Sequence, residues 1–506
     1  MLNQAEVYRL FGDIDRMPGI MEPRIGRWRA WPMAKMQLFW HLMYPRSNGD
    51  RASHVSAMPV LRQRLSRLGH DAAVAVRQSK RLREPMPPCG TIAMMYVPRV
   101  HRCPDGRLRD MIYGDLLCGH ALALPTLALE QPWPHRAKHR SSAAPIRLDP
   151  YQSATELLAL PLMATRHLRG CVDSLDCMLA RAQFPMDARN RRRKILLGLA
   201  MFEARRRVFR RLLRRLGARC LVVTYGPGRL GEIAAAREMG ISVVEFQHGV
   251  MSADCPDYGW PAEYRSLKSG MAVPDCIALF GSVFRREMLR PGFWREDEAV
   301  AVGAATMEYY RSAARPKTYV SKPFRVLFMT QANTRDAAIA FWREFAQVPG
   351  EVIAATVVLK IHPEEHNSVE PYRQLAISFP DRFALLHADT NPMEAMIDAD
   401  IVVAYNSLAL IEALGLGKPA ISICGGTAPA GLAGAIGMQD VLSVVPHIRL
   451  PRALHELLRE RAGSAALDDW CARAWNEGCA FFSDGFTDAA ASLINGAVER
   501  SRNVLH

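Results

Sequence analysis

Two imidazoles open the chemistry of this chain. His248 stands in Gln247-His248-Gly249, directly after the β-branched run Ser242 to Phe246; His362 stands in Lys360-Ile361-His362-Pro363, directly after Thr356-Val357-Val358-Leu359. Each run has the length and composition of a buried parallel strand, so each histidine falls where a strand hands over to a loop. In open α/β sheets that edge is where ligands bind. An imidazole that titrates near neutrality can take a proton from an acceptor hydroxyl, the role expected of His248. Asp254 and Asp257, in the polar loop from Ser252 to Trp260, are reserve candidates for the same base. Pro363 suits the first turn of a helix, so His362 is expected at a helix N-terminus, where Lys360, the helix dipole and the imidazole would hold a nucleotide phosphate.

Other loops fall at the same edge. Thr330-Gln331 follows the run Arg325 to Met329, and Asn406-Ser407 opens the helix Leu408 to Leu416, offering an N-cap or a phosphate grip. Glu412, one turn on, is placed to reach ribose hydroxyls. Gly226, Gly228, Gln247 and Gly249 are expected to line the cleft, with Gly249 permitting the turn after His248. Three rival motifs share these residues. Gly226-Pro227-Gly228-Arg229-Leu230-Gly231, with Glu245 ending the next strand, is a formal dinucleotide fingerprint and gives a nicotinamide or flavin oxidoreductase as an alternative, although Pro227 removes a backbone donor. His362-Pro363-Glu364-Glu365-His366 matches an inverted zinc-peptidase pattern, but a strand ends at His362 and Asn367-Ser368 interrupts the segment. Asp398-Ala399-Asp400 has the form of a metal-binding Asp-x-Asp, yet it precedes its strand, away from the ligand edge. No metal site and no cofactor are expected.

The elements that must position these groups form two α/β blocks. A chain of 506 residues, 49% hydrophobic and 23% charged, is a folded profile too long for one ordinary core. Residues 1–312 read as an acceptor-side Rossmann-like domain, with strands near 91 and 125 and a helical insertion at about 151–217. Residues 324–475 read as a second doubly wound domain that binds the donor nucleotide, and 476–506 as a helix returning to the junction; a Pro-containing linker lies at 313–323. The net charge of +15 is concentrated: residues 189–219 hold 13 Lys or Arg against the single acid Glu203. Arg205 to Arg215 is a basic amphipathic stretch, a candidate contact for an anionic membrane surface. Its arginines avoid the expected cleft and lack interleaved aromatics, which argues against a nucleic-acid binder. Eleven scattered cysteines without a Cys-x-x-Cys pair read as reduced thiols, and no basic stretch followed by an apolar one opens the chain. The expected location is cytoplasmic, peripheral at the inner membrane.

Taken in order, Gln247-His248-Gly249, the Lys-x-His-Pro at 360–363 and Asn406-Ser407 followed by Glu412-Ala413-Leu414-Gly415-Leu416-Gly417-Lys418-Pro419 resemble the GT-B surface-polysaccharide transferases. These are the capsule and lipopolysaccharide enzymes that use CMP-sugars, such as Kdo and sialic acid transferases, and the CDP-glycerol glycerophosphotransferases. The resemblance covers roughly 218–500. It implies two Rossmann-like domains facing a cleft, a nucleotide-activated sugar donor (CMP-, CDP- or UDP-linked), and a glycan or lipid-linked glycan acceptor. It further implies catalysis by His248, donor-phosphate contact by His362 and Pro363, and nucleotide contact by Ser407. Where relatives carry His-x-Gly-Tyr after Gln-His-Gly, this chain has Pro256-Asp257-Tyr258-Gly259. A nucleotide-sugar 2-epimerase of the same fold is the alternative.

Overall fold

A computed structural model describes residues 4–43, 69–78, 87–131 save 88, 98 and 120, 145–314 save 312, 324–348, 355–423 save 366, 367 and 406, and 445–503 save 446, 462 and 463. Two helices, α1 (Gln4–Asp15) and α2 (Trp31–Met43), precede the first sheet. Its strands are β1 (Thr91–Tyr96), β2 (Thr126–Glu130), β3 (Ile146–Arg147), β4 (Ala218–Thr224), β5 (Ser242–Phe246), β6 (Cys276–Leu279) and β7 (Ala299–Ala301), all parallel, in the order β7-β6-β5-β4-β1-β2-β3. Between β3 and β4 the chain forms α3 (Asp149–Leu162), α4 (Arg166–Arg181) and α5 (Ala188–Arg215). The helix α6 (Leu230–Glu238) crosses from β4 to β5, and α7 (Ala305–Tyr310) follows β7.

The second sheet is also wholly parallel. It comprises β8 (Phe324–Met329), β9 (Ala355–Lys360), β10 (Phe383–Leu386), β11 (Ile401–Ala404), β12 (Ala420–Ile423) and β13 (His447–Ile448), in the order β10-β9-β8-β11-β12-β13. Helices α8 (Arg335–Gln347), α9 (Leu408–Gly415), α10 (Ser464–Phe481) and α11 (Phe486–Asn503) complete the elements used below. Two doubly wound parallel sheets are the GT-B architecture.

The strands read as continuous apolar runs because both sheet faces are covered. In β1 and β4, Ile92, Met94, Cys220 and Val222 face α11, packing with Phe486, Ala490, Ile494 and Val498. The alternating residues Ala93, Met95, Leu221 and Val223 face α5 and α6, against Phe209, Leu213, Ile233 and Ala236. In the second sheet Val326, Phe328, Val357 and Leu359 pack on Trp342 and Phe345 of α8, while Leu327, Val402 and Ala404 share a core with Leu410 and Leu414 of α9.

The last helix therefore belongs to the first sheet, and Ser501 anchors it there through hydrogen bonds with Ser242. At the end of α7, Tyr310 donates its hydroxyl proton to the carbonyl of Arg102 (3.0 Å) and accepts from Asn391 (2.6 Å). Arg311 donates to the carbonyl of Gly415 (3.1 Å) and pairs with Asp484 (2.6 Å). These bonds tie the two sheets together. No helix among the described residues is long and apolar enough to cross a membrane.

Candidate functional site

Chain order in the first sheet runs outward from β1 to β3, returns to β4 on the other flank of β1, and runs outward again to β7. The crevice at the carboxyl ends of β1 and β4 is thus a topological switch point, where no crossover fills the space. A cavity of about 400 Å³ opens there. Its rim is built from strand ends: Val97 and Arg99 after β1, Gln131 after β2, Thr224 and Tyr225 at β4, and His248 after β5. Arg205 and Phe209 of α5, with Arg229 and Glu232 around the start of α6, close the far side. The second sheet has the same reversal between β8 and β11, whose ends carry Thr330 and Ser407.

His248 is half-buried at this cavity, its ring edge-on to Tyr225 with centroids 5.3 Å apart. Burial, with Arg99 and then Arg229 adding like charge, pushes its pKa down to about 4, so the imidazole is neutral and able to accept a proton across the physiological range. Arg99 also acts on Glu412 of α9, whose carboxyl burial lifts to about 7 against the pull of that guanidinium. One arginine thus stands within electrostatic reach of the histidine of the first sheet and the glutamate of the second. Sequence reasoning passed over Arg99, although its place two residues beyond β1 put it at the ligand edge.

The remaining first-sheet candidates, Gly226, Gly228, Gln247, Gly249, Asp254 and Asp257, do not line this cavity. Gln247 is buried and braces the turn, donating to the carbonyl of Gly249 (2.8 Å) and accepting from the backbone of Phe280 (2.8 Å). Gly249 is outside the left-handed region and has open space around it, so its turn does not require a glycine. Asp254 is exposed and paired with Arg290 at 2.9 Å, away from the cavity. Asp257 accepts from the Tyr225 hydroxyl (3.1 Å), and burial lifts its pKa to about 6. It touches the ring that touches His248. Tyr225 adopts a left-handed backbone (φ 54°, ψ 63°) that no sequence signal marked.

The dinucleotide reading fails on its own residues. Glu245, which would hold a ribose, is wholly buried and accepts from the backbone of Gly226 (2.7 Å) and from the Tyr258 hydroxyl (2.6 Å). A Cβ at Gly226 would collide with that carboxylate, and one at Gly231 would lie 2.5 Å from the Cβ of Arg205. Gly226 and Gly231 therefore serve close packing of loop, acid and helix.

On the second sheet, His362 and Pro363 are exposed, but Pro363 opens only a single 3₁₀ turn, Pro363–Glu365. The expected helix N-terminus is absent at that point because Glu365 turns inward. Its carboxylate accepts from Thr330 (2.5 Å), Arg335 (3.1 Å) and Tyr372 (3.3 Å), and Thr330 also accepts from the backbone of His362 (2.8 Å). Glu365 so used cannot act as a peptidase base; His366 lies outside the described residues. Lys360 is 3% exposed, and its ammonium donates to the carbonyls of Ile361 (2.8 Å) and Ala388 (3.0 Å) rather than facing a ligand. Burial lowers its pKa to about 8. Gln331 is half-buried beside Thr330. Ser407 is the N-cap of α9, its hydroxyl accepting from the backbone of Ala409 at 3.2 Å. Asn406 lies outside the described residues. Asp400 binds the backbone of Arg325 (2.8 Å) at the amino ends of the strands, the edge opposite to His362.

One cluster was not anticipated. His70, Asp71 and Asp149 bring potential ligand atoms within 4.8 Å of one another, but Arg147 lies among them, bonded twice to Asp149 at 3.1 and 3.0 Å. Of the arginines in the basic stretch, Arg205 lines the cavity that the stretch was expected to avoid, Arg206 pairs with Glu203 and Glu238, Arg207 is exposed but pairs with Glu203 at 2.6 Å, and Arg210, Arg211, Arg214 and Arg215 are exposed.

No family model matches the sequence, and no curated protein matches it. Solved structures of similar fold include the S. aureus MnaA–UDP co-structure, 11% identical over 79% of this chain and 94% of that one, with a TM-score of 0.45. They also include MurG of Acinetobacter baumannii, 12% identical over 80% and 99% with a TM-score of 0.42. The wall teichoic acid polymerase TagF with CDPG is 10% identical over 89% and 100%, with a TM-score of 0.44.

Proposed function

We propose that the chain is a glycosyltransferase that moves a sugar from a nucleotide-activated donor to a cell-surface glycan or lipid-linked glycan. The donor nucleotide binds at the β8/β11 switch point, with Gln331, His362 and Ser407 at its phosphates and Glu412 at its ribose, while the buried Thr330 hydroxyl fixes the backbone of His362. The acceptor hydroxyl enters the cavity of the first sheet, where neutral His248 takes its proton as the sugar is transferred. Lys360 holds the end of β9 in shape and makes no ligand contact. The observation that carries this reading is Arg99, which links a base at one switch point to a carboxylate at the other. A cavity of about 400 Å³ beyond His248 gives room for a second substrate, which favours transfer over epimerisation.

Thermal denaturation with CMP, CDP and UDP tests the donor half. One of these is expected to stabilise the chain, by about 2.7 kcal/mol at a hundredfold excess over Kd. Glu412→Ala and Ser407→Ala should each weaken that effect. No response to any of the three nucleotides would refute the reading, and release of an epimerised sugar without acceptor would assign the chain to 2-epimerase chemistry.

A further inference from the structure

We propose that the cavity at the β1/β4 switch point is an anion subsite, in which Arg99, Arg229 and Gln131 hold a phosphate or carboxylate carried by the acceptor beside His248. The proposal deepens the transferase reading by giving the acceptor a chemical class, and the site itself can be occupied whether or not a nucleotide binds.

Charge comes first. Three guanidiniums, those of Arg99, Arg205 and Arg229, line one cavity that holds a single carboxylate, Glu232. Glu232 lies 3.5 Å from Arg229, and Arg205 donates to the carbonyl of Gly228 at 2.9 Å. Positive charge is left over: Arg99 is exposed at the mouth, and burial disfavours the charged form of Arg229 deeper in, so an entering counter-charge is favoured.

Unpaired donors come second. Among the described residues the Nε of Arg229, the amide nitrogen of Gln131 and the Nδ1 of His248 are buried without a hydrogen-bond partner, as is one oxygen of Glu232, the carboxylate that already faces Arg229. Gln131 is only 5% exposed, so water does not relieve it freely. Buried polar groups are paired in folded proteins, so the two unpartnered nitrogen donors that face this cavity call for acceptor oxygens within it. A ligand rich in acceptor oxygens satisfies both nitrogen donors, and a planar guanidinium matches a phosphate or carboxylate.

The low basicity of His248 supports the same conclusion, since Arg99 and Arg229 are among its causes. An anion bound between those arginines cancels their field at the imidazole. The acceptor would thereby raise the basicity of the group that deprotonates it, and the base would become stronger only when its substrate is in place.

The test is titration of the full chain with methyl phosphate, acetate and the neutral methyl glucoside, followed calorimetrically and by the His248 ring proton resonances, with and without saturating UDP. Methyl phosphate or acetate should bind, move the His248 titration upward, and lose affinity about tenfold in Arg99→Gln, a change at an exposed position. Phosphate and carboxylate acceptors are distinguished by which of the two probes binds. Methyl glucoside should not shift the histidine. The proposal is overturned if neither anion binds, if Arg99→Gln leaves the affinity unchanged, or if UDP displaces the anion, which would make the cavity part of the donor site. Failure of nucleotide binding alone would refute the donor assignment and leave the anion measurement intact.

Discussion

Glu245→Gln isolates the energetics of the acid near the end of β5. The carboxyl of Glu245 is wholly buried; one oxygen takes bonds from Gly226 and Tyr258, and the other has no partner among the described residues. Burial lifts its pKa from 4.5 to about 7, with Asp257 adding to the rise and the two hydrogen bonds opposing it. The folded state therefore binds a proton that the unfolded state has already released. Its stabilising effect is fully present below pH 4.5 and is lost as pH rises through about 7. A shift of that size corresponds to about 3 kcal/mol. Glutamine keeps an oxygen for Gly226 and Tyr258 but does not ionise. The stability of the variant relative to the wild type should thus increase by about 3 kcal/mol between pH 4 and 8.5. The readout is hydrogen exchange at the β5 amides, compared between the two proteins at each pH. That opening energy belongs to the first sheet even where a chain of this size unfolds in stages. Parallel curves across the whole range would show that Glu245 is ionised in the fold and would refute the account of a protonated carboxyl.

Further outcomes follow from the same geometry. His248→Ala should lower kcat by about 10² to 10⁴ with an unchanged melting temperature; the wild-type kcat/KM, which reports the unliganded protein, should show no loss of base activity between pH 8 and 5, whereas a limb near 6.5 in kcat/KM would contradict the low pKa of unliganded His248. Lys360→Met should cost about 1–3 kcal/mol of stability by leaving two carbonyls without their donor, while nucleotide affinity stays within about twofold; a large loss of affinity at unchanged stability would restore the phosphate role to this lysine. Thr330→Val should cost about 1–3 kcal/mol, because it strips a bond from the wholly buried Glu365, and a neutral result by chemical denaturation would show that Arg335 and Tyr372 suffice.

The two-sheet architecture was legible because parallel strands buried on both faces are apolar along their whole length, so runs such as Val222-Val223 and Val357-Val358 announce themselves. Strand ends were legible for the same reason, and with them the positions of His248 and Ser407. What a strand end does not encode is the direction in which its side chain turns. Lys360 and Glu365 carry the charges of ligand-binding residues, yet both fold inward, because each finds partners contributed by distant segments: Ala388 for the lysine, Thr330 and Arg335 for the glutamate. The reverse holds for Arg99, a plain arginine in sequence whose importance comes from the return of β4 to the flank of β1. That return places the end of β1 at the switch point and sets Arg99 beside His248. Local pattern thus finds the edge at which chemistry occurs, and topology decides which charges on that edge stay free to meet a ligand. In this chain the free positive charge gathers over the first sheet, not at the Lys-x-His-Pro turn of the second, and it is there that an anionic acceptor has most to gain.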